Sequence, residues 1–169
     1  HTVAGQAVEA MIKPIMEGRS AGVISEAGVP GVADPGALVV EVAHRKGIRV
    51  VPLVGPSSIL LALMASGLNG QSFAFNGYLP IKEPERSKSI KRLESRARAE
   101  HQSQLFIEAP YRNVKLFEQM IKSLNPDTRL CVATDITSKS EYIRTKTVAQ
   151  WRQTSMPDIQ KRPTIFIIG

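Results

Sequence analysis

Cysteine is scarce in this sequence, its histidines are scattered, and it has no long apolar run. Each of these three features argues against one class of structure. Among 169 residues there is one cysteine, Cys131, so an intrachain disulfide is excluded. The three histidines, His1, His44 and His101, are too scattered to predict a zinc site. No apolar run approaches the roughly 20 residues that a transmembrane helix needs, and no signal peptide is visible. We therefore expect a cytoplasmic protein that binds no metal and contacts no membrane.

Three widespread catalytic motifs are also missing. The chain has no G-x-G-x-x-G, which disfavours a dinucleotide fold, and no G-x-x-x-x-G-K-[ST], which disfavours a P-loop. It has no G-x-S-x-G, which disfavours a serine hydrolase. Acidic residues are outnumbered: 22 Lys and Arg against 15 Asp and Glu give a net charge of +7. This balance favours a polyanionic partner, such as RNA, without saying anything about the fold.

The first part of the chain alternates predicted helices with short apolar strands. Residues 2–17 carry apolar side chains at helical spacing. Residues 21–25 and 48–53 predict two buried strands, and the loops 26–36 and 54–58 lead from them into helices. This alternation predicts a parallel α/β sheet. Because the first helix begins at once, we expect the natural chain to continue upstream.

The polar, glycine-bearing stretch at residues 67–72 predicts a domain boundary. It divides the chain into residues 1–70, an incomplete N-terminal α/β domain, and residues 71–169, a C-terminal mixed α/β domain. In the second domain we predict strands from residue 73 and at 104–107, 129–134, 141–146 and 164–168, and helices at 84–99, 110–124 and 147–152.

Ligand sites of open α/β sheets lie at the carboxyl ends of strands, so the loops there are the candidates. The loop 26–36 is longer than an ordinary strand-to-helix loop, and its glycines let the backbone approach a ligand. Within it, Asp34 could contact ligand or cap the next helix. Ser57 and Ser58 have the same two readings at the second loop.

The third candidate loop combines opposite charges. Glu108 follows the strand at residues 104–107, and Arg112 stands at the start of the next helix. Arg112 could bind a phosphate, or it could pair with Glu108 in a structural ion pair. The residues alone therefore predict a ligand-binding α/β protein, and they do not predict its reaction.

Five segments, in the right order, resemble the motifs of one enzyme family. Residues 25–36 resemble SDAGTP…DPG, residues 50–58 resemble VVPLPGPS, and residues 77–82 resemble GFLPxK. Residues 107–112 resemble YESPHR, and residues 163–169 resemble the final strand. The family is the class III, tetrapyrrole-methylase-type methyltransferases that use S-adenosylmethionine (SAM), in particular bacterial rRNA small-subunit methyltransferase I.

The resemblance implies two α/β domains with a SAM-binding cleft between them, the first domain being truncated. It implies 2′-O-methylation of a ribose in small-subunit rRNA. Because a ribose hydroxyl is a poor nucleophile, this reaction calls for a general base, and Glu108 is our candidate. We expect Lys82, Arg86 and Arg112 to hold phosphates of the RNA. The implied cofactor-binding residues are Glu26, Gly28, Val29, Pro30, Asp34, Ser57, Ser58, Leu79, Ala109, Pro163 and Thr164.

Several departures from the family pattern keep alternatives open. Glu26 replaces the usual Asp, Val29 replaces Thr, and Tyr111 replaces His, while the family's opening strand has no counterpart before His1. A tetrapyrrole or protein methyltransferase of the same fold, or a non-catalytic interaction module, would fit as well. A sheet that lacks a strand has an unpaired edge, so we expect a homodimer.

Overall fold

The computed structural model describes residues 2–26 and 28–169, with side chains from residue 7 onward. These residues form two compact units, one ending at Ser57 and the other spanning Ser58–Gly169. Helix α3 (Ser58–Ser66) belongs to the second unit, because its apolar side chains pack against the sheet there. The domain boundary after residue 70 stays a prediction.

Two helices build the first unit. Helix α1 (Thr2–Met16) and helix α2 (Ala37–Arg45) pack through a small apolar cluster. Helix α2 ends in a Schellman motif, in which Gly47 N–H donates to His44 and Ile48 N–H donates to the carbonyl of Ala43. Gly47 has a φ of 67°, which an L side chain adopts only with strain. The cluster comprises Val8, Ile12 and Val42, with Ile15, Val39 and Ile48 at its border.

The two strands predicted in this unit, at residues 21–25 and 48–53, are not strands in the structure. Within residues 2–26 and 28–57, neither segment pairs with a neighbour, and a strand exists only where a ladder partner satisfies its backbone groups. Their apolar side chains are correspondingly exposed: Ile24 is 91% exposed and Leu53 is 86% exposed. Apolar composition therefore predicted burial that these segments do not reach.

The second unit is a five-stranded sheet in the order β1-β2-β5-β3-β4. Strands β1 and β2 are parallel, and every other neighbouring pair is antiparallel. The strand predictions in this half are confirmed, including the edge strand near residues 141–146, which is β4. The strands are β1 (Phe73–Tyr78), β2 (Ser103–Ile107), β3 (Arg129–Thr134), β4 (Tyr142–Thr147) and β5 (Thr164–Ile168).

Alternating side chains of the central strands supply two cores, one on each face of the sheet. On β5, Phe166 and Ile168 point to one face while Ile165 and Ile167 point to the other. Helix α3 covers the second face. The first face is covered by α4 (Glu85–Glu100), α5 (Asn113–Ser123) and α6 (Val148–Arg152), and a 3₁₀ turn at Pro110–Arg112 precedes α5.

Helices of the described part of the chain are all too short or too polar to cross a bilayer.

Candidate functional site

The loops of the second unit converge at one edge of its sheet. The register pairs Tyr78 with Ile107, Ile107 with Ile165, and Thr134 with both Thr164 and Tyr142. The carboxyl ends of β1, β2 and β3 therefore meet the amino ends of β4 and β5. We call this side of the sheet the carboxyl edge. Segments 79–84, 108–112, 135–141 and 157–163 form its loops.

Glu108 lies at this edge with its side chain 0% exposed. Its Oε1 atom accepts a hydrogen bond from Arg112 Nη2 at 2.7 Å and another from the Ala109 amide at 2.7 Å. Its Oε2 atom is buried and has no hydrogen-bond partner among the described residues, and the same holds for Arg112 Nε. One buried acceptor and one buried donor are thus left over, and such groups call for an explanation in a folded protein.

The Arg112 guanidinium is held on two sides. Besides its bond to Glu108, its Nη1 donates to the hydroxyl of Tyr111, and its Cζ lies 4.9 Å from the centroid of the Tyr111 ring. The hydrogen bond to Glu108 raises the pKa of Arg112 above its ordinary value, with smaller contributions from the charges of Glu108, Tyr111 and Tyr78. The ion pair that the sequence offered as an alternative is therefore formed, and Arg112 is a fixed group.

A second arginine, Arg162, joins the other loops of the carboxyl edge. Its Nε donates to Asp135 Oδ2 at 2.8 Å, and its Nη atoms reach Asp158 and the carbonyl of Ser140. Ser140 Oγ also donates to Asp135 Oδ2, at 2.8 Å. These bonds, first that from Ser140 and then that from Arg162, lower the pKa of Asp135 against the opposing effect of partial burial. The loop 135–141 is thereby tied to the segment before β5.

Asn113 links this segment to the Glu108 turn. Its buried side chain donates to the carbonyls of Ile159 and Arg162, at 3.2 and 2.7 Å. In addition, the amide of Lys161 donates to the carbonyl of Pro110 at 3.0 Å. The loops that follow β2 and β3 and the loop that precedes β5 are therefore one connected structure.

The predicted cofactor-binding residues fall into two groups. Leu79, Ala109, Pro163 and Thr164 lie at the carboxyl edge, where the structure brings them together. The Ala109 amide is already occupied by Glu108, and the Thr164 hydroxyl bonds to Thr134 and Arg162. The remaining seven belong to loops of the first unit or to its junction with α3: Glu26, Gly28, Val29, Pro30, Asp34, Ser57 and Ser58.

In the first unit, the glycine-rich loop has an open backbone. Gly28 and Gly31 have φ values of 74° and 78°, and a Cβ added at either would meet no atom within 4 Å. Asp34 does not cap helix α2, because the helix begins at Ala37 with Gly36 at the cap position and no side-chain cap. The capping alternative for Asp34 is therefore wrong, whereas its contact with a ligand stays a prediction.

The three predicted phosphate-binding residues differ in how far their side chains are exposed to solvent. Lys82 is exposed in the loop after β1. Arg86 is only 4% exposed and its Nε faces Glu83 at 3.6 Å, which argues against contact with RNA. Arg86 is buried because it lies on the face of α4 that packs against the sheet. Charged residues are spread around this helix, so the sequence alone did not show which of them would face inward. Arg112 is partly accessible but already paired.

Sequence reasoning missed the group around Arg162. No pattern in the sequence linked Asp135 to an arginine 27 residues away. The residues whose positions the structure gives contain no group of three metal-ligating side chains.

Comparison with known proteins identifies the family. Residues 3–151 match the family model of Tetrapyrrole (Corrin/Porphyrin) Methylases. Two similar sequences are "Ribosomal RNA small subunit methyltransferase I" of Mesorhizobium japonicum, 38% identical over 86% of this chain and 48% of the relative, and that of Vibrio cholerae, 30% identical over 86% and 49%. The chain thus spans about half the length of these curated relatives.

Solved structures agree with this result at the level of the fold. The methyltransferase CobJ superposes with a TM-score of 0.64 at 19% identity, over 98% of this chain and 70% of CobJ. The cobalt precorrin-4 methyltransferase CbiF gives a TM-score of 0.59 at 16% identity, over 96% and 69%. The mixed α/β fold with its five-stranded sheet matches these structures, and the chain belongs to the tetrapyrrole (corrin/porphyrin) methylase family.

Proposed function

We propose that the protein containing this chain is a SAM-dependent methyltransferase that methylates the 2′-hydroxyl of a ribose in small-subunit rRNA. The observation that carries the proposal is the 38% identity, over most of this chain, to a protein named for methylation of small-subunit rRNA. The two-domain arrangement with a cofactor cleft is part of the proposal and rests on membership of the family. The net charge of +7 suits a polyanionic substrate.

One feature in each unit, taken by itself, supports the proposed SAM binding. The open backbone at Gly28 and Gly31 lets a ligand approach closely, as Cβ-bearing residues would not. At the carboxyl edge, the buried Nε of Arg112 is a donor without a partner among the described residues. We propose that the loops carrying these residues hold the cofactor, together with the backbone near Leu79 and Pro163.

SAM, when bound, supplies a methyl group on a sulfonium that is already electrophilic. The protein's own work is then mostly to position the two reactants, which can contribute about 7 to 11 kcal/mol. A ribose hydroxyl is a weak nucleophile, so a base that accepts its proton would help. Glu108 stays the predicted base: Oε1 is held by Arg112 and Ala109, and Oε2 is left as the free acceptor.

A two-step experiment tests the proposal. SAM binding is measured by calorimetry on the full-length protein, and labelled methyl transfer from SAM is then measured on small ribosomal subunits lacking the modification. We expect saturable binding, and label in RNA at a ribose, recognisable because a 2′-O-methyl group blocks alkaline cleavage of the neighbouring phosphodiester. Label on a tetrapyrrole, on a protein or on a base would contradict the proposed substrate, and absence of SAM binding would contradict the methyltransferase.

We also propose a cytoplasmic location and a homodimer. The dimer is supported by large apolar side chains that are exposed in the first unit, among them Ile24, Leu53 and Val54, because such groups mark contact surfaces. Sedimentation velocity on the full-length protein would show a single dimeric species. A monomer at all accessible concentrations would contradict the dimer and leave the enzymatic proposal untouched.

A further inference from the structure

Two tyrosines stand exposed at the carboxyl edge, at the ends of the two parallel strands. Tyr78 ends β1 and is 64% exposed, and Tyr111 in the turn after β2 is 62% exposed. Tyr78 pairs in register with Ile107, and Tyr111 lies in the turn that follows Ile107, so both tyrosines stand at the same side of the sheet. Tyrosine is enriched at binding interfaces, because it presents an apolar ring and a polar hydroxyl together.

The side chain of Arg112 fixes the position of the Tyr111 ring. The Arg112 guanidinium lies 4.9 Å from its centroid and donates to its hydroxyl, while the buried carboxylate of Glu108 fixes Arg112 at 2.7 Å. Because Arg112 is neutralised by Glu108, its contribution here is a rigid plane and not a free charge. A ring fixed before binding loses little conformational freedom when a partner stacks on it.

Two exposed lysines, Lys161 and Lys82, lie in the loops next to the two tyrosines. The Lys161 amide bonds to the Pro110 carbonyl, which places Lys161 next to the Tyr111 turn, and its side chain is exposed. Lys82 is exposed in the loop that follows Tyr78. Rings for stacking and unpaired cations for phosphates are the two components of single-strand nucleic-acid sites.

We infer that Tyr78 and Tyr111 form a stacking site for unpaired bases of a single-stranded RNA segment, whose phosphates are held by Lys161 and Lys82. The inference rests on the proposed function and specifies its substrate: the target nucleotide lies in an unpaired region. In a duplex the bases are stacked on each other and cannot reach the rings.

The experiment measures binding of a fluorescein-labelled, mixed-sequence single-stranded RNA to the full-length protein by anisotropy. Stacking on one ring is worth at least about 1 kcal/mol per base, so Tyr78→Leu and Tyr111→Leu should each raise Kd by about fivefold or more. Tyr78→Phe and Tyr111→Phe keep the ring and should stay within about twofold. Lys161→Gln should weaken binding and lower its salt dependence.

A matched control is Phe73→Leu, which removes an exposed ring of the same strand at the opposite edge of the sheet and should leave Kd unchanged. The same RNA annealed to its complement should bind more weakly than the single strand. Equal binding of the duplex, wild-type affinity of both Leu variants, or Phe variants as weak as the Leu variants would overturn the stacking site.

SAM titration of the wild-type protein separates this inference from the proposed function. Normal SAM binding with RNA affinity insensitive to both tyrosines overturns the stacking site alone. Normal SAM binding with no RNA binding by the wild type overturns the stacking site and the RNA substrate together. Because both rings are exposed, the Leu variants should fold, and an unchanged midpoint of thermal unfolding verifies it.

Discussion

At the scale of single residues, the two oxygens of Glu108 have different environments. Oε1 accepts from Arg112 and Ala109, while Oε2 is buried without a partner among the described residues. In Glu108→Gln the amide oxygen can keep both bonds of Oε1, but the proton acceptor is lost. We expect kcat of methyl transfer to fall by about 100-fold or more while RNA affinity changes little. Single-turnover transfer and anisotropy measure the two quantities.

A second variant, Glu108→Ala, is compared with Glu108→Gln. It removes the partner of Arg112 as well, so RNA affinity should fall together with the rate, because the Tyr111 ring loses its support. If Glu108→Gln instead keeps kcat within about tenfold of the wild type, Glu108 only positions Arg112 and is not the base.

Asp135 predicts a pH dependence of stability. Its pKa is lower in the folded protein than in the unfolded chain, chiefly through the hydrogen bond from Ser140 and further through that from Arg162. The unfolded chain therefore binds more protons in acid, so the stabilisation is fully present above the ordinary carboxyl pKa of about 3.9 and is lost as pH falls toward the folded value. Urea unfolding of Asp135→Asn should lack this acid-side loss.

Asp158→Asn is the matched control for this measurement, because Asp158 also pairs with Arg162 but is exposed to solvent. Exposed pairs contribute little to stability, so its unfolding curve should follow the wild type across the acid range. Identical pH profiles for wild type and Asp135→Asn would contradict a stabilising role of the Asp135–Arg162 pair.

At the scale of elements, the loop between α1 and α2 offers a test of its proposed cofactor role. Gly28 has a φ of 74°, where a side chain costs about 1 to 2 kcal/mol although no atom stands in its way. Gly28→Ala should therefore weaken SAM binding by about tenfold through the backbone alone. The control is Gly70→Ala, at a glycine with open surroundings and no positive φ. Unchanged calorimetric affinity of Gly28→Ala would remove this loop from the cofactor site.

The elements also show what the sequence could and could not predict. Short apolar runs predicted β3 and β5, and alternation predicted β4, because a buried or half-buried strand carries its packing pattern locally. The segments at 21–25 and 48–53 have equally apolar composition, but strand formation depends on a partner that composition does not reveal. The antiparallel insertion of β5 between β2 and β3 likewise has no local signal.

In the candidate site, contacts between residues close in sequence could be predicted, and contacts between distant residues could not. Glu108 and Arg112 lie four residues apart, so their pairing could be foreseen as an alternative, and the structure forms it. The bond between Asp135 and Arg162 spans 27 residues and depends on the sheet register. Tyr111 drew notice only as a departure from the family pattern, since its contact with Arg112 requires the 3₁₀ turn.

At the scale of the whole molecule, the net charge of +7 predicts salt-dependent binding to RNA. Each phosphate contact contributes about 0.7 to the slope of log K against log salt for a single strand. Lys82→Gln should weaken binding and lower this slope by about that amount. Lys122→Gln is the control, because Lys122 is exposed in the last turn of α5, away from the carboxyl edge. An unchanged slope for Lys82→Gln would contradict its phosphate contact.

The position of β5 has a consequence for how the protein is made. Strand β5 is the last of the five strands to be synthesised, yet it occupies the centre of the sheet between β2 and β3. On the ribosome, the β1–β2 pair and the β3–β4 hairpin must therefore wait, with β2 and β3 each lacking one neighbour, until residues 164–168 leave the exit tunnel. During that interval the nascent chain displays two unpaired strand edges, which can pair with the edges of other chains.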